Sequence, residues 1–319
     1  MAGVLRLTLA CGDYEIVRAL KENTVRPEGI ELSLVTDMDA MTRHSKMIRE
    51  SAFDVCELSM SSYLMARARG QALSAIPVFL HRRFRHGFIF VSASSDVSQP
   101  RDLIGKKVGV NSFQATANVW IRGILEHEFE VPHKQLHWVV EGREAVAFNV
   151  PEGLTWTRSP PGERVETMLV DGELDAVLHT DVITPMRQRD PRVRRLFENY
   201  KKLEIDYYKK TAIFPIMHTT AIKQEIVDRC PWVPVSLLKA FERAKAMAYQ
   251  RLQDPRIVPL AWFRTSLEEQ EQILGEDPWM YGLGATNRKN LRTLVQYAHE
   301  QGLIGQPVSL DELFVDANQ

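Results

Sequence analysis

The chain predicts a two-lobed α/β fold: two α/β units joined by a pair of crossing strands, with a helical tail after the second crossing. Three observations carry this expectation. Strand-like and helix-like patterns alternate as β-α-β-α-β-α-β over residues 4–80, which calls for a parallel sheet with right-handed crossovers. The alternation restarts near residue 107. Two apolar runs, residues 87–93 and 212–220, bracket this second unit.

Each element follows from local pattern. Residues 4–11 alternate as a first strand, and Asp13 stands where an N-cap would open a helix over 16–23. Pro27-Glu28-Gly29 is a turn into a strand over 30–35. Residues 38–51 form an amphipathic helix, 53–58 a third strand, 59–69 a serine-led helix and 71–80 a fourth strand. After a loop with Pro100, the second unit reads as a strand over 107–111, a helix over 112–129 and a strand over 137–141. A long loop over 151–161, a helix over 162–169, a strand over 175–179 and mixed helix and turn over 181–199 complete it. The tail carries helices over 235–252, 266–274 and 287–300. Lobe 1 is therefore expected to comprise residues 1–92 and 214–319, and lobe 2 residues 93–213.

Bulk properties narrow the function. The 319 residues suit two ordinary domains, with 45% apolar and 25% charged residues and a net charge of −1. That balance offers no nucleic-acid or membrane surface. Three cysteines, an odd and sparse count, argue against a disulfide framework and fit a reducing compartment. Residues 1–12 superficially resemble a lipoprotein cleavage site, but Arg6 interrupts the apolar run and the segment alternates as a strand. The expectation is a cytoplasmic protein without a transmembrane span.

The densest chemical signal is His81-Arg82-Arg83-Phe84-Arg85-His86, three guanidiniums and two imidazoles where one strand ends and the next begins. Ligands of open α/β sheets bind at carboxyl ends of strands, and arginine grips a carboxylate with two parallel hydrogen bonds. A small acidic ligand follows. No Gly-x-Gly-x-x-Gly or phosphate loop points to a nucleotide cofactor, and no Gly-x-Ser-x-Gly elbow points to an acyl-serine route.

Four stretches carry a family resemblance: residues 53–59 (Phe-Asp-Val-Cys-Glu-Leu-Ser), 76–86 (Ile-Pro-Val-Phe-Leu-His-Arg-Arg-Phe-Arg-His), 103–110 (Leu-Ile-Gly-Lys-Lys-Val-Gly-Val) and 277–283 (Asp-Pro-Trp-Met-Tyr-Gly-Leu). Asn287-Arg288 and residues 297–303 extend the last. Over nearly its whole length the chain resembles the 4,5-dihydroxyphthalate decarboxylases, relatives of periplasmic solute-binding proteins. The resemblance implies a bilobal type II periplasmic-binding-protein-like fold and a carboxy-lyase acting on a small aromatic dicarboxylate in an inter-lobe cleft. Because the scaffold also serves transport receptors, a non-catalytic aromatic-carboxylate binding protein or a different lyase are the alternatives.

Decarboxylation of such a ring is easiest when the carbon bearing the carboxylate is first protonated, with a para hydroxyl supplying electrons. Each carboxylate of 4,5-dihydroxyphthalate has one hydroxyl para to it, so no organic cofactor is required. The site needs an acid, a base and cations. Arg82 and Arg85 are candidate carboxylate ligands; the alternative is a solvated basic loop or a pair with Asp54 or Glu57. Asn111, Ser112, Gln114 and Thr116 open a helix whose free N–H groups would accept a carboxylate, although Ser112 is also a plain N-cap. His86, His179 and His218 compete as proton donor, each against a structural role, and Glu57 or Asp181 as base. Ser59 and Ser61 either bind substrate hydroxyls or cap a helix. A divalent metal held by His86, His179, His218 and Glu57 is the minority reading, since ligand spacings are absent. A homo-oligomer is left open.

Overall fold

The computed structural model describes residues 4–142 and 144–315. The chain divides into two compact units. Unit 1 is Met1–Arg82, Ile216–Lys289 and Val308–Gln319; unit 2 is Arg83–Pro215 and Asn290–Pro307.

The sheet of unit 1 uses β1 (Leu5–Ala10), β2 (Ile30–Val35), β3 (Val55–Ser59) and β4 (Leu73–Ile76), joined by a strand from the far end of the chain. Unit 2 contributes β5 (Ile89–Ser92), β6 (Lys107–Val110), β7 (His137–Val140), β8 (Thr155–Arg158), β9 (Ala176–Leu178) and β10 (Val193–Arg195), and β11 (His218–Lys223) returns to unit 1. The first sheet has the order β2-β1-β3-β11-β4, with β1 parallel to both neighbours and β11 antiparallel to β3 and β4. Every residue of β3 is buried, as are Leu7, Leu9 and Ala10 of β1, which fits strands covered on both faces. Leu7, Leu9, Val55 and Ile222 pack against Val233, Leu237 and Phe241 of the helix Val233–Leu252.

The second sheet runs β10-β5-β9-β6-β7-β8. β6 to β9 are parallel, and β5 is antiparallel to β9 and β10. Phe90, Val139, Val165, Leu169 and Val177 form its core cluster.

The α/β pattern of both units agrees with the expected fold class, and the differences have local causes. β4 stops at Ile76 because Pro77 brings no N–H to a ladder. Asp13 caps nothing; its carboxylate takes Lys21, and the first turn is 3₁₀, Glu15–Val17. The stretch 151–161 holds a strand, β8, whose exposed Thr-Trp-Thr-Arg gave no apolar run. The helix Tyr200–Thr211 was not foreseen because Tyr207 is its one buried residue.

The partition also departs from the expected one. β5 hydrogen-bonds within the second sheet, so unit 2 begins before residue 93. Residues 290–307 belong to unit 2 for a packing reason. The Tyr297 ring lies directly on Gly123, where a Cβ would come within 2.0 Å, and Gln301 accepts from Arg122 Nε at 2.8 Å.

Candidate active site

Sheet register builds a polar cluster inside unit 1. Along β3, Glu57 and Ser59 project to one face. β11 places His218 opposite Ser59 and Thr220 opposite Glu57, so His218 is the diagonal neighbour of Glu57 on that face. Ala10 pairs with Cys56, which carries the end of β1 past Glu57 and brings the Gly12 backbone to it.

Glu57 is fully buried. Its carboxylate accepts from Gly12 N at 2.8 Å, Arg43 Nη2 at 2.7 Å, the Tyr14 hydroxyl at 3.0 Å and His218 Nδ1 at 2.6 Å. Burial alone would raise its pKa. The charge and hydrogen bond of His218, followed by Arg43, hold it instead well below the ordinary carboxylate range. Glu57 takes up the Nδ1 position of His218, so any chemistry of that ring falls to Nε2. Tyr14 can reach Glu57 only because its ring folds over Gly12, where a Cβ would stand 2.2 Å from ring carbon. Burial and the Glu57 charge keep its phenol protonated.

Two further imidazoles meet His218 edge to face: His81 at 4.7 Å and His44 at 4.9 Å between ring centres. Burial, then His218 and Arg43, push His44 well below its usual value, so it is neutral at pH 7. Cys11, beside the cluster, is pushed up to about 12 by burial and by Glu57 and stays a thiol.

Not every predicted residue joins this cluster. Glu57 has its four acceptor positions filled, so its geometry suits orienting His218 rather than taking a phenol proton. Ser59 and Ser61 lie at the head of the next helix, their hydroxyl oxygens 3.3 Å apart. Arg82 is buried and binds the Met280 carbonyl and the Asn287 side chain, tying down the turn before the last long helix. Arg85 is buried and donates to the Thr180 carbonyl at 2.8 Å. Only Arg83 of the three is substantially exposed, and it pairs with Asp181.

In unit 2, His86 packs among Phe129, Phe197 and Tyr207, and burial lowers it to about 4. It is a neutral core histidine, which corrects its reading as a proton donor. His179 meets the backbone of Asp181, not its carboxylate, and its Nε2 lies 3.6 Å from Glu166. The Asp181 carboxylate turns to Arg83 and Arg187 instead, so the expected imidazole–carboxylate pair is not formed.

The anticipated carboxylate cradle exists and already holds a carboxylate from its own chain. Ser112 Oγ and Phe113 N donate to Glu144 at 2.6 Å each, and Gln114 N at 3.3 Å. The Gln114 side chain clasps the Val146 backbone in both directions. Asn111 donates to Thr180, and Thr116 begins the helix proper.

Sequence reasoning missed Arg43, His44 and Tyr14, and it singled out the stretch that holds His81 without giving that residue a role. The usable signal was on the helix Ala40–Glu50, whose buried residues are Arg43, His44 and Met47: a basic pair on the inward stripe of an amphipathic helix. Among the described residues, no three His, Cys, Asp or Glu side chains are grouped to hold a metal ion.

Comparison with known proteins bears on the fold and on the family. Residues 25–141 match the NMT1/THI5-like family model. The structure superposes on the periplasmic aliphatic sulphonate binding protein SsuA from Escherichia coli with a TM-score of 0.59 at 13% identity, covering 98% of this chain and 97% of that one. At that identity the likeness shows the fold, the bilobal periplasmic-binding-protein-like class. A 4,5-dihydroxyphthalate decarboxylase from Pseudomonas putida is 31% identical over 64% of this chain and 82% of its own length. Another, from Comamonas testosteroni, is 33% identical over 98% of this chain and 97% of its own. With the full length of such a relative matched, the chain belongs to the 4,5-dihydroxyphthalate decarboxylase family.

Proposed function

We propose that the protein removes one carboxylate from 4,5-dihydroxyphthalate, giving protocatechuate and carbon dioxide, by protonating the ring carbon that bears the leaving group and without an organic cofactor. The observation that supports this reading most is the 2.6 Å contact between buried, ionised Glu57 and His218 Nδ1. A carboxylate behind an imidazole stabilises the imidazolium and aims its other nitrogen, which suits a general acid at neutral pH.

In this scheme the His218 imidazolium gives its Nε2 proton to the ring carbon, while the para hydroxyl releases its proton to solvent, feeds electrons into the ring and recovers the proton once the ring is aromatic again. The C–C bond to the carboxylate then breaks, carbon dioxide leaves and aromaticity returns. His218 regains a proton from solvent, so the net change is one proton consumed. Arg43, Tyr14 and Gly12 keep Glu57 ionised and still, so no reorganisation is needed as the imidazolium gives up its proton. Three free cysteines are in keeping with a reducing, cytoplasmic setting.

The test is turnover in heavy water. The protein should release carbon dioxide from 4,5-dihydroxyphthalate and leave one deuterium on the vacated carbon. His218→Asn should lower kcat by about 10³-fold or more with the fold intact. Stoichiometric binding with no carbon dioxide would replace this reading with that of an aromatic-carboxylate receptor.

A further inference from the structure

A cleft of about 980 Å³ lies within unit 1 between the turn that carries Arg26, Pro27, Glu28 and Gly29 and the start of the helix Val233–Leu252. None of the residues of the histidine cluster lines it. Its charged lining is one-sided: Arg26, Lys239 and Arg243 against the single carboxylate of Glu28. Lys239 and Arg243 are i, i+4 neighbours, a spacing at which like charges repel and which ordinarily pairs opposite ones. Among the described residues, none of the three cations forms an ion pair.

The same cleft presents an aromatic face. Trp232 remains 45% exposed, an unusual state for an indole. Its ring is seated over Gly29, whose φ of +71° and missing side chain leave the room; a Cβ there would stand 3.1 Å from the indole. The walls are fixed, since Ser236 Oγ holds the Glu28 carbonyl at 2.8 Å and the Gly29 carbonyl accepts from Leu5 N. An exposed indole beside three cations and a single carboxylate is complementary to a ligand that is both flat and negative.

We propose that this cleft is a second small-molecule site that takes an aromatic anion, its ring on Trp232 and its acidic group among Arg26, Lys239 and Arg243. The proposal stands apart from the chemistry at His218. An aromatic carboxylate and a nucleoside monophosphate share the required features, and the test separates them.

Calorimetric titration of the full chain, in parallel arms with protocatechuate, adenosine monophosphate and inorganic phosphate, reads the site, with tryptophan fluorescence as a second signal. At least one aromatic anion should bind, and binding should weaken about tenfold or more in the double variant Lys239→Glu, Arg243→Glu and about fivefold or more in Trp232→Ala. Turnover of 4,5-dihydroxyphthalate by both variants should match that of the unaltered protein. The arm that binds names the source of the anion. Affinities unchanged in either variant, or inorganic phosphate binding as tightly as the aromatic anions, would overturn the proposal.

Discussion

Both units bury a carboxylate under several donors, Glu57 in unit 1 and Glu144 in unit 2, and the two differ in what else they touch. Glu57 in unit 1 faces a guanidinium, a phenol, a backbone N–H and an imidazole. Glu144 in unit 2 is held by a serine hydroxyl and two backbone N–H groups at the approach to a helix. Of these bonds, the one from His218 to Glu57 is the bond that involves an imidazole. A multiply bonded buried carboxylate is therefore common to both units, and chemistry is expected only where an imidazole takes one of those bonds.

Substitution should separate the two most sharply. Glu57→Gln should lower kcat by roughly 10³–10⁴-fold, because an amide no longer dictates which nitrogen of His218 carries the proton. Glu144→Gln should leave kcat within about tenfold, while weakening the cradle by about 1–3 kcal/mol in denaturant unfolding. If Glu144→Gln silences turnover as completely with its fold intact, the contrast between the two carboxylates is wrong.

Arg43→Met sharpens the same contrast through stability. It leaves Glu57 buried without its guanidinium, at a cost of about 3–5 kcal/mol. The pH dependence follows from the sign of the shift. Glu57 is depressed in the folded state, so the stability it contributes is present above the ordinary carboxylate pKa and lost as pH falls toward the folded value. Removing Arg43 should shrink that contribution and flatten the acid limb of a stability–pH curve. An acid limb as steep as that of the unaltered protein would show that Arg43 does not set the ionisation of Glu57.

The sequence made much of the frame legible and less of the site. Strands such as Ile30–Val35 and the helix Val233–Leu252 follow from periodicity, because their buried faces are apolar. Glu57 and His218 were legible as polar residues inside apolar strands. Arg82 and Arg85 misled because a guanidinium reads alike whether it meets a ligand or a backbone carbonyl; here both are buried against carbonyls of distant loops. Arg43 and His44 were hidden for the opposite reason. On an amphipathic helix, polar residues default to solvent, and only the packing of β3 beside that helix turns them inward.

Unit 2 has its own buried titratable pair, a milder foil to Glu57 and His218. Burial raises Glu204 to about 7, and His86 Nδ1 lies 4.0 Å away, its ring lowered to about 4. Glu204, raised on folding, contributes stability below the usual carboxylate range that is lost as pH climbs toward 7. His86, lowered on folding, contributes stability above its usual 6.5 that is lost as pH falls toward 4. Glu204→Gln should therefore stabilise the protein by about 1–2 kcal/mol above pH 7 and leave kcat unchanged. Loss of turnover in that variant would move the chemistry toward His86 and away from His218.

The smallest expected effect is at Tyr14, and it tests how many donors Glu57 needs. Tyr14→Phe keeps the ring over Gly12 and removes one of four hydrogen bonds to the carboxylate. Because the other three remain, the loss should be about 1 kcal/mol in stability and a few-fold in kcat, with KM unchanged. Gly12→Ala should be worse than Tyr14→Phe, although it adds only a methyl group, because that methyl occupies the space of the ring and displaces the Tyr14 hydroxyl together with the Gly12 N–H. Equal effects from the two variants would mean that losing the Gly12 N–H adds nothing to losing the phenol, and that the backbone does not help to hold Glu57 against His218.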